Sequence, residues 1–386
     1  MKKYLKLLSQ EQGTRANDFE SEKINRQVLT FFTIASLFLS GCNVLSNFVI
    51  LRWLSPEDMG LWQLALTIPF YLQFAGFGVL FGLGRELPFS FGEQDYKTSD
   101  HYMSTSLVWT CMSGGILLVM GGCVIFLWPS LTWYQKLAYG ANVIFAGLQQ
   151  LSIFWGVLYR SVSAFLRLSC ILMIYGVLQI ISVLFAYYYG LPGMAMRAMF
   201  TMSAYIAMLY FWSPLSPNWQ FQWSSLVRLV KTGIPIFVFG ASIHSLFITD
   251  RILLAWSTGQ KDVGFYSIAN YVYAGMSFLP SGLGMYIYSR MSYRYGKDKS
   301  PSELWRLSWK SGAVSFLLSI PFAALSVLGL YLVIPMWAPH YQPGLPIAYI
   351  AAMGGCFFAS SIMLNALNTL KAWWGFSIII LSTALS

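Results

Sequence analysis

The sequence predicts an all-α, polytopic membrane protein with two parallel-related six-helix lobes, the second of which we expect to be incomplete at the C-terminus. Composition is the first reason: of 386 residues, 57% are hydrophobic and 10% are charged, whereas a soluble domain carries about a quarter charged residues. Long apolar runs are the second reason, and a motif that recurs in the second half is the third. The composition excludes a soluble globular enzyme, a disordered chain and a disulfide scaffold.

Apolar runs long enough to cross a bilayer follow one another along the chain. A transmembrane helix needs about 20 mostly apolar residues, and we predict such spans at roughly 28–51, 61–84, 104–128, 137–159, 165–189, 191–213, 230–255, 264–289, 311–336 and 344–369. An eleventh run begins near Ala372 and stops at Ser386, short of a full span. We therefore expect a truncated C-terminus.

Basic residues predict a cytoplasmic N-terminus. The tail, residues 1–27, mixes acidic and basic residues and lacks the apolar core and cleavage site of a signal peptide. With this tail inside, 19 of the 24 basic residues fall in cytoplasmic segments and four fall in outer loops. This asymmetry follows the positive-inside rule. It explains the net charge of +10 without a nucleic-acid partner, whose binding would concentrate basic residues on one face.

A five-residue motif occurs twice, once after the first predicted span and once after the seventh. Asp58-Met59-Gly60-Leu61-Trp62 and Asp262-Val263-Gly264-Phe265-Tyr266 lie 204 residues apart, and at the same offset Gly78 falls on Gly282. Six spans separate the copies, so the halves have the same orientation, an arrangement common in transporters with a substrate path between the halves. The predicted limits are 28–213 for the first lobe, 214–227 for the linker and 228–386 for the second lobe.

Ionisable residues inside a predicted span are costly and suggest function. Arg197 either faces a transport pathway or extends to the outer interface. His244 is either a hydrogen-bonded packing residue or a proton-linked one. Asp250 and Arg251 end the seventh span as a solvated gate or as an interface anchor.

Uncharged polar residues in the spans are further candidates for a cavity lining: Asn43, Asn270, Gln149 and Gln150. Adjacent Gln149 and Gln150 must face different sides of one helix, so one can line a cavity while the other bonds a neighbour. Catalytic motifs and metal-binding spacings are missing from the sequence. We therefore expect neither an enzyme nor a cofactor nor a metal site.

Several segments resemble bacterial polysaccharide flippases, the O-antigen-type exporters of lipid-linked oligosaccharides within the superfamily that includes multidrug exporters. The resemblance covers most of the chain, roughly 28–386. The segments that carry it are Leu54 to Trp62, Gly233-Ile234-Pro235, Thr249-Asp250-Arg251, Val263 to Ala269 and Gly284 to Gly296. The resemblance implies two six-helix lobes around a cavity that opens alternately to each side. Members usually have 12 to 14 spans, and this chain has ten and part of an eleventh.

The implied substrate is an undecaprenyl-pyrophosphate-linked sugar repeat unit, carried from the inner to the outer leaflet of the bacterial cytoplasmic membrane. A cationic cavity favours the anionic pyrophosphate. Arg197 is the best candidate for this contact, with Arg52 and Arg251 nearer the outer mouth. Inner-mouth candidates, which otherwise serve as orientation anchors, are Arg85, Arg160 and Arg290. Besides the substrate and membrane lipid, the resemblance implies a polysaccharide polymerase and a chain-length regulator as partners.

Two other functions remain open at this stage. A multidrug or cation antiporter of the same superfamily should carry a buried carboxylate in the first lobe, and none lies in the middle of the first six predicted spans. A membrane polysaccharide polymerase or ligase would usually need a large outer loop, and the predicted outer loops are short.

Overall fold

In the computed structural model, residues 18–277 and 301–364 are described, and this part of the chain is helical with no strand. Twelve α-helices fall within it: α1 Asp18–Ile50, α2 Pro56–Ala65, α3 Thr67–Leu72, α4 Val79–Gly92, α5 Tyr96–Leu127, α6 Trp133–Ser161, α7 Phe165–Ile181, α8 Val183–Phe211, α9 Trp223–Ser257, α10 Gln260–Met276, α11 Pro301–Trp337 and α12 Leu345–Ser360. The second copy's Gly282, Arg290 with the segment from Gly284 to Gly296, and the run after Ala372 lie outside the described residues.

The helices are long and apolar enough to confirm the predicted membrane class. Within the described ranges, six helices pass a length and hydropathy test for a membrane span, and a bent pair adds a seventh. Their outward faces carry large apolar side chains, such as Phe126 and Phe211, each 78% exposed. In a bilayer such side chains contact lipid, so their exposure costs nothing there.

The second predicted span, 61–84, is wrong in its shape and in its end. A short 3₁₀ turn, Gln73–Gly76, follows α3, and the chain then bends by 57° before α4. Phe77 and Gly78 both adopt left-handed conformations there, with φ of 46° and 70°. The helix continues to Gly92, eight residues past the predicted end, because apolar residues continue on both sides of Arg85 and Glu86.

The boundary between the fifth and sixth predicted spans coincides with a break at Gly190. Its φ of 59° and ψ of −130° interrupt α8, and Pro192 follows two residues later. Such a conformation is open to glycine and strained for other residues. Ser182 marks a second, milder interruption between α7 and α8.

Contacts between Cα atoms divide the chain into two compact units. Within the described residues, the first contains 18–42, Ala65–Phe185 and Pro192–Ser242, and the second contains Asn43–Leu64, Ala186–Leu191, 243–277 and 301–364. The first has a large apolar core, in which Leu83, Phe154 and Leu158 are fully buried. Met276 and Ala352 belong to a smaller core in the second unit. The lobe limits drawn from the sequence stay a prediction.

Candidate functional site

The repeated motif forms a reciprocal helix contact in the second unit. A Cβ atom added to Gly60 on α2 would collide with the carbonyl oxygen of Gln260, the first residue of α10. A Cβ atom added to Gly264 on α10 would collide with the carbonyl oxygen of Pro56, the first residue of α2. Pro56 and Gln260 are themselves 204 residues apart. Each copy of the motif therefore packs its glycine on the start of the other helix.

Polar groups surround this contact. The Gln260 side-chain amide donates a 2.8 Å hydrogen bond to the carbonyl of Glu57. The Lys261 ammonium lies 3.1 Å from the Glu57 carboxylate, and both side chains are more than half exposed. An exposed pair of this kind contributes about 0–1 kcal/mol. The close backbone approach, rather than the ion pair, therefore determines how tightly α2 and α10 meet.

A second glycine contact joins α4 to α9 in the first unit. A Cβ atom on Gly82 would collide with the carbonyl of Leu229, and one on Gly233 would collide with the carbonyl of Gly78. Small residues at this spacing let helix backbones approach closely in membranes. Gly78, in its left-handed conformation, thus forms the bend before α4 and also supplies one side of the contact with α9.

Glu86 is a buried carboxylate beside this second contact, and sequence reasoning missed it. It is 9% exposed. One oxygen accepts a 2.9 Å hydrogen bond from Arg228 and the other accepts one of 3.1 Å from Thr232. The predicted span ended at residue 84 and so left Glu86 in a loop. The apolar residues that continue to Phe91 are the signal that could have located it on the helix.

Arg197 is buried in the first unit, with 7% of its surface exposed. Its Nε donates to the Ser182 hydroxyl at 3.2 Å, and Nη2 donates to the Gln179 amide oxygen at 3.0 Å. Gln179 lies at the end of α7, and Ser182 lies at the interruption that follows. The guanidinium therefore bridges α8 to the end of α7. Its role in a transport path stays a prediction.

Asp250 and Arg251 belong to a polar cluster in the second unit. Tyr266 donates a 2.6 Å hydrogen bond to the Asp250 carboxylate. Tyr271 accepts a 3.1 Å hydrogen bond from the Gln63 amide, and the backbone N–H of Arg251 donates a 2.6 Å hydrogen bond to the Asp250 carboxylate. In this part of the chain, Arg251 Nε and Asn270 Nδ2 are buried donors with no acceptor. Arg251 and Asn270 therefore each keep one donor atom of the side chain unused.

Gln149 and Gln150 point to different helices of the first unit. Gln149 accepts a 3.4 Å hydrogen bond from Gln73 in the 3₁₀ turn. Gln150 is buried and accepts a 3.0 Å hydrogen bond from Ser113 on α5, while its own Nε2 has no acceptor within the described residues. Both amides therefore contribute to contacts between helices.

The other predicted site residues are dispersed. The exposed Arg52 places its guanidinium 4.4 Å from the ring centre of Trp337, a cation–π contact in the second unit. Asn43 is half-buried in the same unit, and Arg85 and Arg160 are exposed in the first. The side chain of His244 lies outside the described residues. Among the candidates, the structure brings together Asp250 and Arg251.

Comparison with known proteins identifies the fold. No protein-family model and no curated protein matches the sequence. Solved structures do match: the lipid II flippase MurJ in an inward closed conformation has a TM-score of 0.68 at 12% identity, over 88% of this chain and 76% of that one. An inward-facing multidrug resistance MATE transporter of the MOP superfamily has a TM-score of 0.62 at 16% identity, over 90% of each chain. The chain has the fold of MOP-superfamily transporters.

A third similar structure widens the range of functions found on this fold. It is a MOP-superfamily transporter from Pyrococcus furiosus, described as having a binding pocket of reversed polarity that suggests a different function, with a TM-score of 0.62 at 13% identity over 90% of this chain and 84% of that one. These neighbours are transporters and flippases, not enzymes. At such identities the likeness concerns the fold alone.

Proposed function

We propose that this protein moves undecaprenyl-pyrophosphate-linked oligosaccharide repeat units from the inner to the outer leaflet of the bacterial cytoplasmic membrane by alternating access. The observation that carries the proposal is the placement of two guanidinium groups, Arg197 and Arg251, within apolar helices of a fold shared with a lipid II flippase. The cargo supplies oligosaccharide for O-antigen or capsule synthesis. A polysaccharide polymerase and a chain-length regulator are the expected protein partners.

Charge favours this cargo. A cation within a membrane span is expensive and is retained where it meets an anion or a water-filled cavity. Guanidinium groups bind phosphate oxygens in a bidentate, charge-assisted manner. The buried donors Arg251 Nε and Asn270 Nδ2 add capacity for a pyrophosphate or for sugar hydroxyl groups. A cationic drug would gain nothing from these donors.

The two glycine contacts supply the alternating closures. On the predicted orientation, the contact between α4 and α9, with the Glu86–Arg228 ion pair, lies toward the cytoplasm. The contact between α2 and α10, with the Glu57–Lys261 pair, lies toward the outer side. At both contacts a glycine of one helix lies against a main-chain carbonyl of the other, so the two backbones meet with no side chain between them. Transport then requires one contact to open while the other stays closed.

Multidrug export is the second candidate, and Glu86 is the observation that favours it. The first unit does hold a buried carboxylate, which the sequence analysis had placed outside the spans. A cation-coupled exporter needs such a group to bind a proton or a metal cation. In this structure both oxygens of Glu86 accept hydrogen bonds from Arg228 and Thr232. The Glu86 carboxylate therefore has a structural role in these hydrogen bonds, and it could bind a coupling ion only if they were broken.

Deletion of the gene distinguishes these functions. Isoprenoid-linked saccharides are extracted from the deletion strain and from strains complemented with the wild type, with Arg197→Gln or with Arg306→Gln, an exposed arginine as matched control. We expect complete single repeat units to accumulate in the deletion and Arg197→Gln strains, with loss of surface polysaccharide. Loss of long polymer while single units still reach the surface would indicate a polymerase. An unchanged lipid pool with increased retention of a fluorescent cationic dye would indicate drug export.

A further inference from the structure

A pocket in the first unit lies away from every site described above. It has a volume of about 520 Å³ and lies between the start of α7 and the end of α8. Its lining residues are Leu166, Arg167, Cys170, Phe211, Trp212 and Ser213. A volume of this size is enough for a small ligand or a lipid headgroup.

The lining has an apolar part and a cationic part. Leu166 is 54% exposed and Phe211 is 78% exposed, so in a membrane both contact acyl chains. Trp212 is 47% exposed, and tryptophan is enriched where acyl chains meet headgroups. Arg167, also exposed, supplies the positive charge. This combination matches a molecule with an anionic head and apolar chains.

Hydrogen bonds hold the walls of the pocket in place. The Tyr159 hydroxyl donates a 3.0 Å bond to the carbonyl of Leu209, which ties the end of α6 to the last turns of α8. The Ser213 hydroxyl and Leu215 exchange bonds of 2.6 and 3.2 Å, which fix the segment after α8. The pocket is therefore formed before a ligand arrives, and binding costs little ordering of the chain.

We propose that this pocket binds an anionic phospholipid of the surrounding bilayer, with Arg167 on the headgroup phosphate and with Leu166 and Phe211 along the acyl chains. Basic pockets between transmembrane helices bind anionic headgroups in this manner. The proposal does not depend on the transported substrate. It requires only that the chain spans a membrane.

Native mass spectrometry of the purified full-length protein tests the proposal directly. The protein is titrated with phosphatidylglycerol or with phosphatidylcholine of the same acyl chains. We expect phosphatidylglycerol to bind more tightly, and Arg167→Gln to weaken its binding about fivefold, the effect of one basic residue near an anionic lipid. Arg306→Gln is the matched control, because Arg306 is exposed near the start of α11 and does not line the pocket.

Alkylation of Cys170 gives a second measurement at the pocket itself. Both Cys170 and Cys123 are exposed, and only Cys170 lines the pocket. In nanodiscs, phosphatidylglycerol should slow alkylation of Cys170 relative to phosphatidylcholine, leave Cys123 unchanged and lose its effect in Arg167→Gln. Equal binding of the two lipids, or equal losses in Arg167→Gln and Arg306→Gln, would overturn the proposal. Protection by a polyprenyl phosphate but not by phosphatidylglycerol would also overturn it, since the occupant would then be a substrate-type lipid.

Discussion

Replacement of Gly60 by alanine should force α2 and α10 apart. The added Cβ would lie against the carbonyl oxygen of Gln260, at a distance that real Cβ atoms essentially never show. An ordinary contact between carbon and oxygen is about 3.3–3.6 Å, so the two backbones must separate by about 1 Å or more. Overpacking of this kind costs about 1–3 kcal/mol. We expect the ratio of closed to open contact to fall about 5- to 150-fold.

Cross-linking between the two helices measures this ratio. Glu57→Cys and Lys261→Cys are introduced together, because the native side chains form an ion pair at 3.1 Å, and exposed Cys123 and Cys170 are replaced by serine. The yield with a short bismaleimide should be high with the native glycine and should fall with Gly60→Ala. Export of lipid-linked repeat units should fall in parallel, because the α2–α10 closure no longer forms fully.

Gly275→Ala is the matched control on the same helix as Gly264. A Cβ at Gly275 meets nothing within 4 Å. Both substitutions gain the same helix propensity, about 1 kcal/mol, so a difference between them isolates the collision at Gly60. Equal cross-linking yields in Gly60→Ala and Gly275→Ala would refute the claim that backbone contact determines this closure.

Three further substitutions test other parts of the structure. Arg228→Gln should lower the free energy of unfolding by about 1–3 kcal/mol, measured by thermal unfolding in detergent. The loss is smaller than the about 3–5 kcal/mol expected for a fully buried pair, because the Arg228 side chain is 61% exposed. Addition of Glu86→Gln should restore part of the loss, and an additive double variant would contradict the pairing. Arg197→Gln should abolish repeat-unit export while the protein still folds, and full export would remove Arg197 from the path. Gly190→Ala should destabilise by about 1–3 kcal/mol through its positive φ, whereas Gly140→Ala, in open helical surroundings, should not.

The sequence predicted the class of fold because hydropathy is a local property. Bilayer thickness sets the length of an apolar run, and the predicted run 137–159 therefore lies inside α6, Trp133–Ser161. The break between 165–189 and 191–213 was also readable, since Gly190 and Pro192 interrupt helices by their own backbone chemistry.

Local hydropathy and backbone chemistry could not predict the tertiary contacts. The repeat predicted that Gly60 and Gly264 occupy equivalent places, and nothing in the spacing said that each would pack on the start of the other helix. The predicted end of the second span was wrong because two charged residues, Arg85 and Glu86, were taken to mark the end of that span. The ion-pair partner of Glu86, Arg228, lies 142 residues away in the chain, and a window of 20 residues cannot register it.

The reciprocal contact between α2 and α10 also bears on how such a chain can diverge. What Gly60 and Gly264 meet is main-chain carbonyl, which every amino acid presents alike. Mutation of the side chains at Pro56 and Gln260 leaves those carbonyls where they are. The crossing of α2 and α10 therefore requires two glycines and places few requirements on the surrounding side chains. Positions of α2 and α10 that make no contact of their own can therefore change without altering this crossing. Structures that share an architecture at 12–16% identity are the expected outcome of a fold whose closest helix contact is made by main-chain atoms.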